Sequence, residues 1–297
     1  MKIEDIQKIC VTGAGQMGSQ IAMQAALAGY DVCLHDISDE QLEKAMAGNR
    51  HQLGRRVEKG KLEQEFVDAA LARLTTTSSL EEAATGADFV IEAIVEILAA
   101  KQDVFAELDR ITPEHAILAT NSSYLGNSEI APATQRPEKV VNMHFFFPPL
   151  VMQLVEVVKG EKTSDETVEL TAELARRIGK TPVILHKEMP GFLVNRILRA
   201  LANEAYFLLE NGVASFEDID KACQLGLNHP MGPFMLGDFS GLDIGYNARM
   251  EVYNRTGNEE DKPPASLARR VERGDLGRKT GRGFYDYSTK PPTPTED

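Results

Sequence analysis

Cysteine is scarce. There are three in 297 residues, Cys10, Cys33 and Cys223, and none is spaced as a CxxC or as a metal-ligand pair. An odd count this scattered excludes a disulfide framework or a thiolate metal centre, and reads as structural thiols of a reducing, cytoplasmic compartment. Long apolar runs are also missing. Even Ala83–Ala100 is interrupted by Asp88, Glu92 and Glu96, which excludes a membrane-spanning helix. Met1-Lys2-Ile3 leads straight into a strand-like segment, so no signal peptide is expected. Positive charge is in deficit, with 32 Lys and Arg against 45 Asp and Glu, a formal net charge of −13. Such a surface repels polyanions, so nonspecific nucleic-acid binding is excluded. No internal repeat is found.

The remainder has an ordinary globular composition, 42% hydrophobic and 26% charged. The length suits two domains, a larger and a smaller. In the first half, apolar β-branched runs alternate with helix-period segments. Strands are expected at Ile9–Thr12, Asp31–Asp36, Phe89–Ala93, Ala116–Thr120, Val140–His144 and Gln153–Val158. Gln16–Gly29 reads as a helix ended by glycine, and Leu42–Lys61 as a helix broken near Gly48 and Gly54. Such alternation implies right-handed crossovers and a largely parallel, buried sheet. From Pro190 the apolar spacing turns helical, and Phe192–Leu209 is apolar on more than one face. A helix of that kind needs cover on several sides. The expected division is an α/β domain over 1–187, an all-helical domain over 188–287 with a homodimer interface, and a disordered tail over 288–297. That tail carries three prolines and no apolar pattern. Asn228-His229-Pro230-Met231-Gly232-Pro233 reads as a rigid turn between helices.

The sharpest signal is Gly13-Ala14-Gly15-Gln16-Met17-Gly18. A bare GxGxxG is weak evidence, but this one follows an apolar strand, opens a helix and precedes a second strand that ends in an acid. Gly13 permits a tight turn, Gly15 lets backbone approach a pyrophosphate, and Gly18 allows close helix–strand packing. The helix N-terminus presents free N–H groups to the phosphates. Asp36, eighteen residues past Gly18, suits the adenine-side ribose hydroxyls and repels the extra phosphate of NADP. Ile37-Ser38-Asp39-Glu40 supplies no arginine to offset it. The pattern points to a Rossmann-type, doubly wound domain that binds NAD.

Other candidates carry two readings each. Glu92-Ala93-Ile94-Val95-Glu96 ends a buried strand, where open α/β sheets place ligands. Glu96 and Lys101 are then cofactor contacts, or Glu96 is simply an acid in a first helical turn. Glu156 is the one ionisable residue of an apolar strand and needs a partner. His144, ending a neighbouring strand, is a suitable one. An imidazole oriented by a carboxylate is a good base for oxidising a secondary alcohol, while a core histidine with a structural acid is the plainer account. Asn121-Ser122-Ser123 ends another strand; Ser123 suits a substrate oxygen and Asn121 a nicotinamide amide, or both belong to a cap or turn. Residues 50–61 hold Arg50, Arg55, Arg56, Lys59 and Lys61 against Glu58 alone. That is either an anion site, as for coenzyme A, or a solvated helix face.

Taken jointly, these motifs resemble the 3-hydroxyacyl-CoA dehydrogenase family, and the resemblance runs from about Ile9 to Tyr287. It rests also on His144-Phe145-Phe146, Leu154-Val155-Glu156-Val157-Val158, Pro190-Gly191-Phe192-Leu193-Val194-Asn195-Arg196, His229-Pro230-Met231-Gly232-Pro233 and Gly281-Arg282-Gly283-Phe284-Tyr285. The short bacterial 3-hydroxybutyryl-CoA dehydrogenases are the most similar branch. The resemblance implies a Rossmann-type domain followed by a helical dimerisation domain, NAD as cofactor and an acyl-CoA substrate. It makes His144 the catalytic base, Glu156 its orienting acid, Ser123 a substrate-oxygen ligand and Asn195 a further active-site residue. Gly13, Gly15, Met17, Gly18, Asp36, Glu96, Lys101 and Asn121 fall at cofactor positions, and Arg55 and Lys59 where basic residues meet coenzyme A. No metal is implied.

Three residues depart from the family pattern. Phe147 stands where asparagine is usual, Tyr124 where serine is, and Ile97 where asparagine follows Glu96. All are larger or more apolar, which implies a reshaped acyl pocket. A relative acting on a non-CoA hydroxy acid is the second reading. A non-enzymatic NAD-binding protein is the third, and it leaves Ser123, His144, Glu156 and Asn195 without a purpose.

Overall fold

The computed structural model describes residues 1–296, excluding the side chain of Arg255. The chain divides into two compact units, Met1–Leu193 and Val194–Asp297, so the contact boundary falls beyond the expected residue 187.

The first unit is built on eight strands: β1 Lys8–Thr12, β2 Asp31–His35, β3 Leu74–Thr77, β4 Phe89–Glu92, β5 Ile117–Thr120, β6 Val140–Phe145, β7 Leu154–Val158 and β8 Thr181–Leu185. Their order in the sheet is β3-β2-β1-β4-β5-β6-β7-β8. All neighbours are parallel except β6 and β7, which are antiparallel. The expected strands form, while β3 and β8 come from segments with little apolar alternation: Leu74-Thr75-Thr76-Thr77 and Thr181-Pro182-Val183-Ile184-Leu185. The central strands are buried along their whole length, as strands covered on both faces must be. The order in which successive strands join the sheet reverses between β1 and β4, a switch point that opens a crevice at the strand C-termini, the usual ligand position of open α/β sheets.

The helices of this unit are α1 Gln16–Leu27, α2 Asp39–Glu58, α3 Gln64–Ala72, α4 Leu80–Ala84, α5 Leu98–Ile111, α6 Asn127–Ile130 and α7 Asp165–Arg177. The expected break in α2 does not occur. Ser38 caps it by accepting from Gln41 N–H, and Asp39 and Glu40 sit in its first turn against Arg55 and Arg56 in its last. Each interior glycine costs about 1 kcal/mol of helix propensity. The buried row Leu42, Ala45, Asn49 and Leu53 outweighs that cost, and a side chain added at Gly48 or Gly54 would touch nothing.

The second unit holds α8 Val194–Glu210, α9 Phe216–Gly226, α10 Pro233–Ser240, α11 Leu242–Thr256 and α12 Ala265–Arg273 around Tyr206, Phe216, Phe234, Leu267 and Phe284. Two buried carboxylates organise it. Asp220 accepts from Phe234 N–H, Met235 N–H and the Tyr285 hydroxyl, which fixes the start of α10 after the expected turn. Asp238 accepts from Phe284 N–H, Tyr285 N–H and Tyr287 Oη. A side chain at Gly283 would meet Asp238 Oδ1 at 2.1 Å, so the Gly281–Tyr285 motif is a structural clasp. The expectation of a wholly disordered tail does not match. Strand β9, Tyr285–Asp286, pairs with β10, Thr293–Pro294, and Thr295 bonds back to Phe284 and Gly283. Threonine hydroxyls and the remaining N–H groups supply the donors that the prolines lack. Asp297 lies outside the described residues.

Candidate active site

The glycine loop leaves β1 at the crevice. Gly13 has φ +100°, and a Cβ there would meet Ala93 O at 2.5 Å. One at Gly18 would meet Gly13 O at 1.8 Å. Both glycines are therefore required by the turn itself. Gly15 differs: it has an ordinary φ of −65° and nothing within 4 Å of an added Cβ. The protein itself leaves that space free, which fits a loop whose backbone must approach a phosphate. Met17 is partly buried against the core. Asp36 accepts from Ala14 N–H at 2.7 Å and from Ser38 N–H at 3.0 Å, so the acid after β2 is tied to the loop it serves. These features fit a dinucleotide.

Across the crevice, a chain of charge begins in the core. Glu92, fully buried at the end of β4, accepts from Lys101 Nζ at 2.6 Å, Thr120 Oγ1 at 2.7 Å and Ile94 N–H at 2.7 Å. Lys101 is 1% exposed and reaches Glu96 at 3.3 Å. Glu96 in turn accepts from Ser122 Oγ, from Ser123 N–H at 3.1 Å and from Tyr124 N–H at 3.2 Å. Burial pushes the Glu96 carboxyl up, but the Ser122 hydroxyl, the Lys101 charge and the Tyr124 N–H outweigh it and hold the group below its usual range. The structure thus spends Lys101 on positioning Glu96, and Glu96 on shaping the turn that carries Ser123. Asn142 supports the same turn from β6, donating to Ser122 O and Leu125 O while its Oδ1 accepts from Asn127. The sequence marks Glu92 and Ser122 only as members of candidate stretches and gives Asn142 no role; an acid and two amide or hydroxyl side chains at buried strand ends were the available signal. Asn121 Oδ1 accepts from Phe145 N–H at 2.9 Å, so any bond it gives a cofactor comes from Nδ2.

His144 and Glu156 face each other in the β6–β7 register. His144 Nδ1 is 2.8 Å from Glu156 Oε2, and Nε2 is 3.0 Å from Ser123 Oγ. A carboxylate only accepts, so Nδ1 carries the proton and Nε2 is left as an acceptor. Glu156 is fully buried, and its Oε1 accepts from Leu193 N–H at 3.1 Å. The imidazole is walled by Phe146, with ring centroids 4.6 Å apart, and by Phe192 at 5.5 Å. Phe192 has φ +46°, a conformation that costs a side-chain-bearing residue about 1–3 kcal/mol. That strained turn places the Phe192 ring on His144 and the Leu193 N–H on Glu156. Neither residue was singled out from the sequence, because a positive φ at phenylalanine leaves no sequence signature.

Arg50 and Arg55 on α2, and Lys59 just past its end, are exposed, whereas Arg56 turns inward and donates to Leu150 O at 2.7 Å. The three departures from the family pattern are exposed: Ile97 by 58%, Tyr124 by 51% and Phe147 by 57%. Asn195 lies in the first turn of α8, in the second unit.

A family model described as the NAD binding domain of 3-hydroxyacyl-CoA dehydrogenase matches residues 8–189, and one for the C-terminal domain matches residues 191–287. The chain belongs to the 3-hydroxyacyl-CoA dehydrogenase family. It is 43% identical over 281 residues to a 3-hydroxybutyryl-CoA dehydrogenase of Clostridioides difficile, covering 95% of this chain and 99% of that one. Among solved structures, the (S)-3-hydroxybutyryl-CoA dehydrogenase of Ralstonia eutropha superposes with a TM-score of 0.87 at 38% identity, covering 96% of this chain and all of that one. A diketoreductase active on dicarbonyl compounds gives the same TM-score at 33% identity, covering 95% and 99%. As a family member the chain is an NAD-dependent oxidoreductase acting on a CH–OH group, and both the doubly wound fold and the cofactor expected from the sequence hold.

Proposed function

We propose that the substrate is a short 3-hydroxyacyl-CoA, with 3-hydroxybutyryl-CoA the first candidate, interconverted with its 3-oxoacyl-CoA. The alignment of Ser123, His144 and Glu156 carries this reading. Bound there, NAD would supply the hydride acceptor for the oxidation of the substrate carbon. His144 Nε2, with its lone pair outward, takes the hydroxyl proton. Glu156 keeps Nδ1–H in place and stabilises the imidazolium that results. Ser123 holds the substrate oxygen, and Asn195 is a further contact assigned by family position. Gly13, Gly15, Gly18, Met17 and Asp36 would hold the adenine and pyrophosphate side of the cofactor. Glu96 and Asn121 would meet its nicotinamide side, with Lys101 acting through Glu96. Arg55 on α2 and Lys59 just past its end, both exposed, supply cations for coenzyme A phosphates.

Two copies are inferred to pair through the helical unit, which exposes Ile197, Phe207 and Ile244 by about three-fifths each; sedimentation velocity at micromolar concentration tests it. Three buried, unpaired thiols suit a reducing cytoplasm.

The deciding assay is NADH oxidation with acetoacetyl-CoA beside acetoacetate. Turnover of the thioester alone supports the reading. Equal turnover of both, or turnover of a CoA-free dicarbonyl alone, replaces it with the second reading, a non-CoA hydroxy acid or dicarbonyl substrate.

A further inference from the structure

Residues 146–153 join β6, which carries His144, to β7, which carries Glu156, and Phe147 stands exposed near their start. This loop is irregular, and its backbone is held from three other elements. Lys180, just before β8, is 7% exposed and donates from Nζ to Pro149 O at 2.5 Å and Met152 O at 3.0 Å. Arg56 in the last turn of α2 donates from Nη2 to Leu150 O at 2.7 Å. Gln20 on α1 accepts from Leu150 N–H at 3.3 Å. Within the loop, Val151 and Met152 both donate to Pro148 O.

Two cations thus converge on three carbonyls, and no carboxylate takes part in these bonds. An ammonium withdrawn from water is costly, and a guanidinium beside it adds to the cost. Burial first, and Arg56 second, bring the Lys180 ammonium down to about 8. A methionine would fill the same space without either penalty. What the cations add is directional, charge-assisted hold on backbone oxygens, and they add it in the loop that joins the His144 strand to the Glu156 strand. Arg55, its neighbour on the helix, points to solvent, so one turn of α2 serves both the loop and the face read as meeting coenzyme A.

We propose that Arg56 and Lys180 are positioning residues that fix the 146–153 loop and, through Phe147, set the discrimination among acyl groups. The specificity half rests on the substrate reading above; the hold on the loop does not. The test uses full-length Arg56→Met, Lys180→Met and Lys180→Arg. Amide hydrogen exchange is followed at Leu150, Val151 and Met152, with kcat/KM for acetoacetyl-CoA and 3-oxohexanoyl-CoA and NADH affinity by fluorescence. Both methionine variants should exchange these amides at least about tenfold faster. The ratio of kcat/KM between the two thioesters should shift at least about five-fold, with the Kd for NADH within about two-fold. Lys180→Arg should restore protection and the ratio. Unchanged exchange and ratio in the methionine variants overturn the proposal, and an equal loss on both thioesters reduces the pair to structural support and overturns the specificity half. If Lys180→Met does not fold, Arg56→Met, at a partly exposed position, carries the test. If the wild type turns over neither thioester, the substrate reading falls and the specificity half with it, while exchange still decides the hold.

Discussion

His144 Nδ1 stands 2.8 Å from Glu156 Oε2, across directly opposed positions of two antiparallel strands. The pairing fixes which ring nitrogen is basic. Glu156→Gln keeps the size of the side chain but offers an amide N–H to Nδ1, which favours the opposite tautomer and puts the proton on Nε2. The expected loss in kcat is about 10³–10⁴-fold, with NADH affinity unchanged. Steady-state kinetics and fluorescence titration check this. A kcat within tenfold of wild type would leave Glu156 as a core residue and remove it from the chemistry.

The glycine loop separates two requirements that one motif usually merges. Gly13→Ala and Gly18→Ala place a Cβ 2.5 Å and 1.8 Å from backbone oxygens, so both should lower Tm and impair folding. Gly15→Ala meets no protein atom and should leave Tm unchanged or raise it slightly, since alanine restricts the unfolded chain by about 0.4–1 kcal/mol. Its Cβ instead occupies the approach of the pyrophosphate, and NADH affinity should fall at least about tenfold, or 1.4 kcal/mol. Calorimetry with and without NADH distinguishes the cases. A Gly15→Ala protein that binds NADH normally would mean that the cofactor does not enter over this loop.

Glu96 gives a pH signature. Its carboxyl lies below the ordinary 4.5, burial being outweighed by Ser122, Lys101 and the Tyr124 N–H. For a depressed acid, the stabilisation is complete above the unfolded value and is lost as pH falls through the folded one. The Tm difference between wild type and Glu96→Gln should therefore be constant near neutrality and should shrink as pH drops below 4.5. A difference that stays constant down to the acid transition would show that the ionised form of Glu96 contributes nothing to the Ser122–Tyr124 turn.

Much of this was legible in the sequence, and the reasons are local. Gly13, Gly18 and Asp36 act within one strand–turn–helix–strand unit, so their spacing specifies their geometry. His144 and Glu156 were readable as a pair because an acid in an apolar strand demands a partner. What stayed hidden depends on distant segments. Lys101 reads as a cofactor contact on α5, yet Glu92 draws it into the core. Arg56 belongs to a run of cations that otherwise faces water, and only folding reveals that it turns to Leu150. The unbroken α2 shows the same limit, since its two glycines are outweighed by packing that propensity does not contain. The ordered residues 293–295 depend on Gly283 and Phe284, whose free carbonyls are set by Asp238.

Phe147, three residues after His144, tests whether an exposed aromatic in the loop that follows the histidine serves the reaction. The residue is 57% exposed, where a ring gains little from burial, so the fold does not require it and Phe147→Asn should leave Tm within a few degrees. An asparagine there adds a donor and an acceptor and removes an apolar surface. If the ring is a contact for the acyl group, the substitution should improve kcat/KM on acetoacetyl-CoA relative to longer, more apolar 3-oxoacyl-CoAs by about five- to tenfold, as expected from one or two methylenes of apolar contact. The relevant measurement is the ratio across a chain-length series, because a general effect on catalysis would move every member together. Equal ratios for wild type and variant would place the ring outside the acyl site, and specificity would then rest with Tyr124 and Ile97.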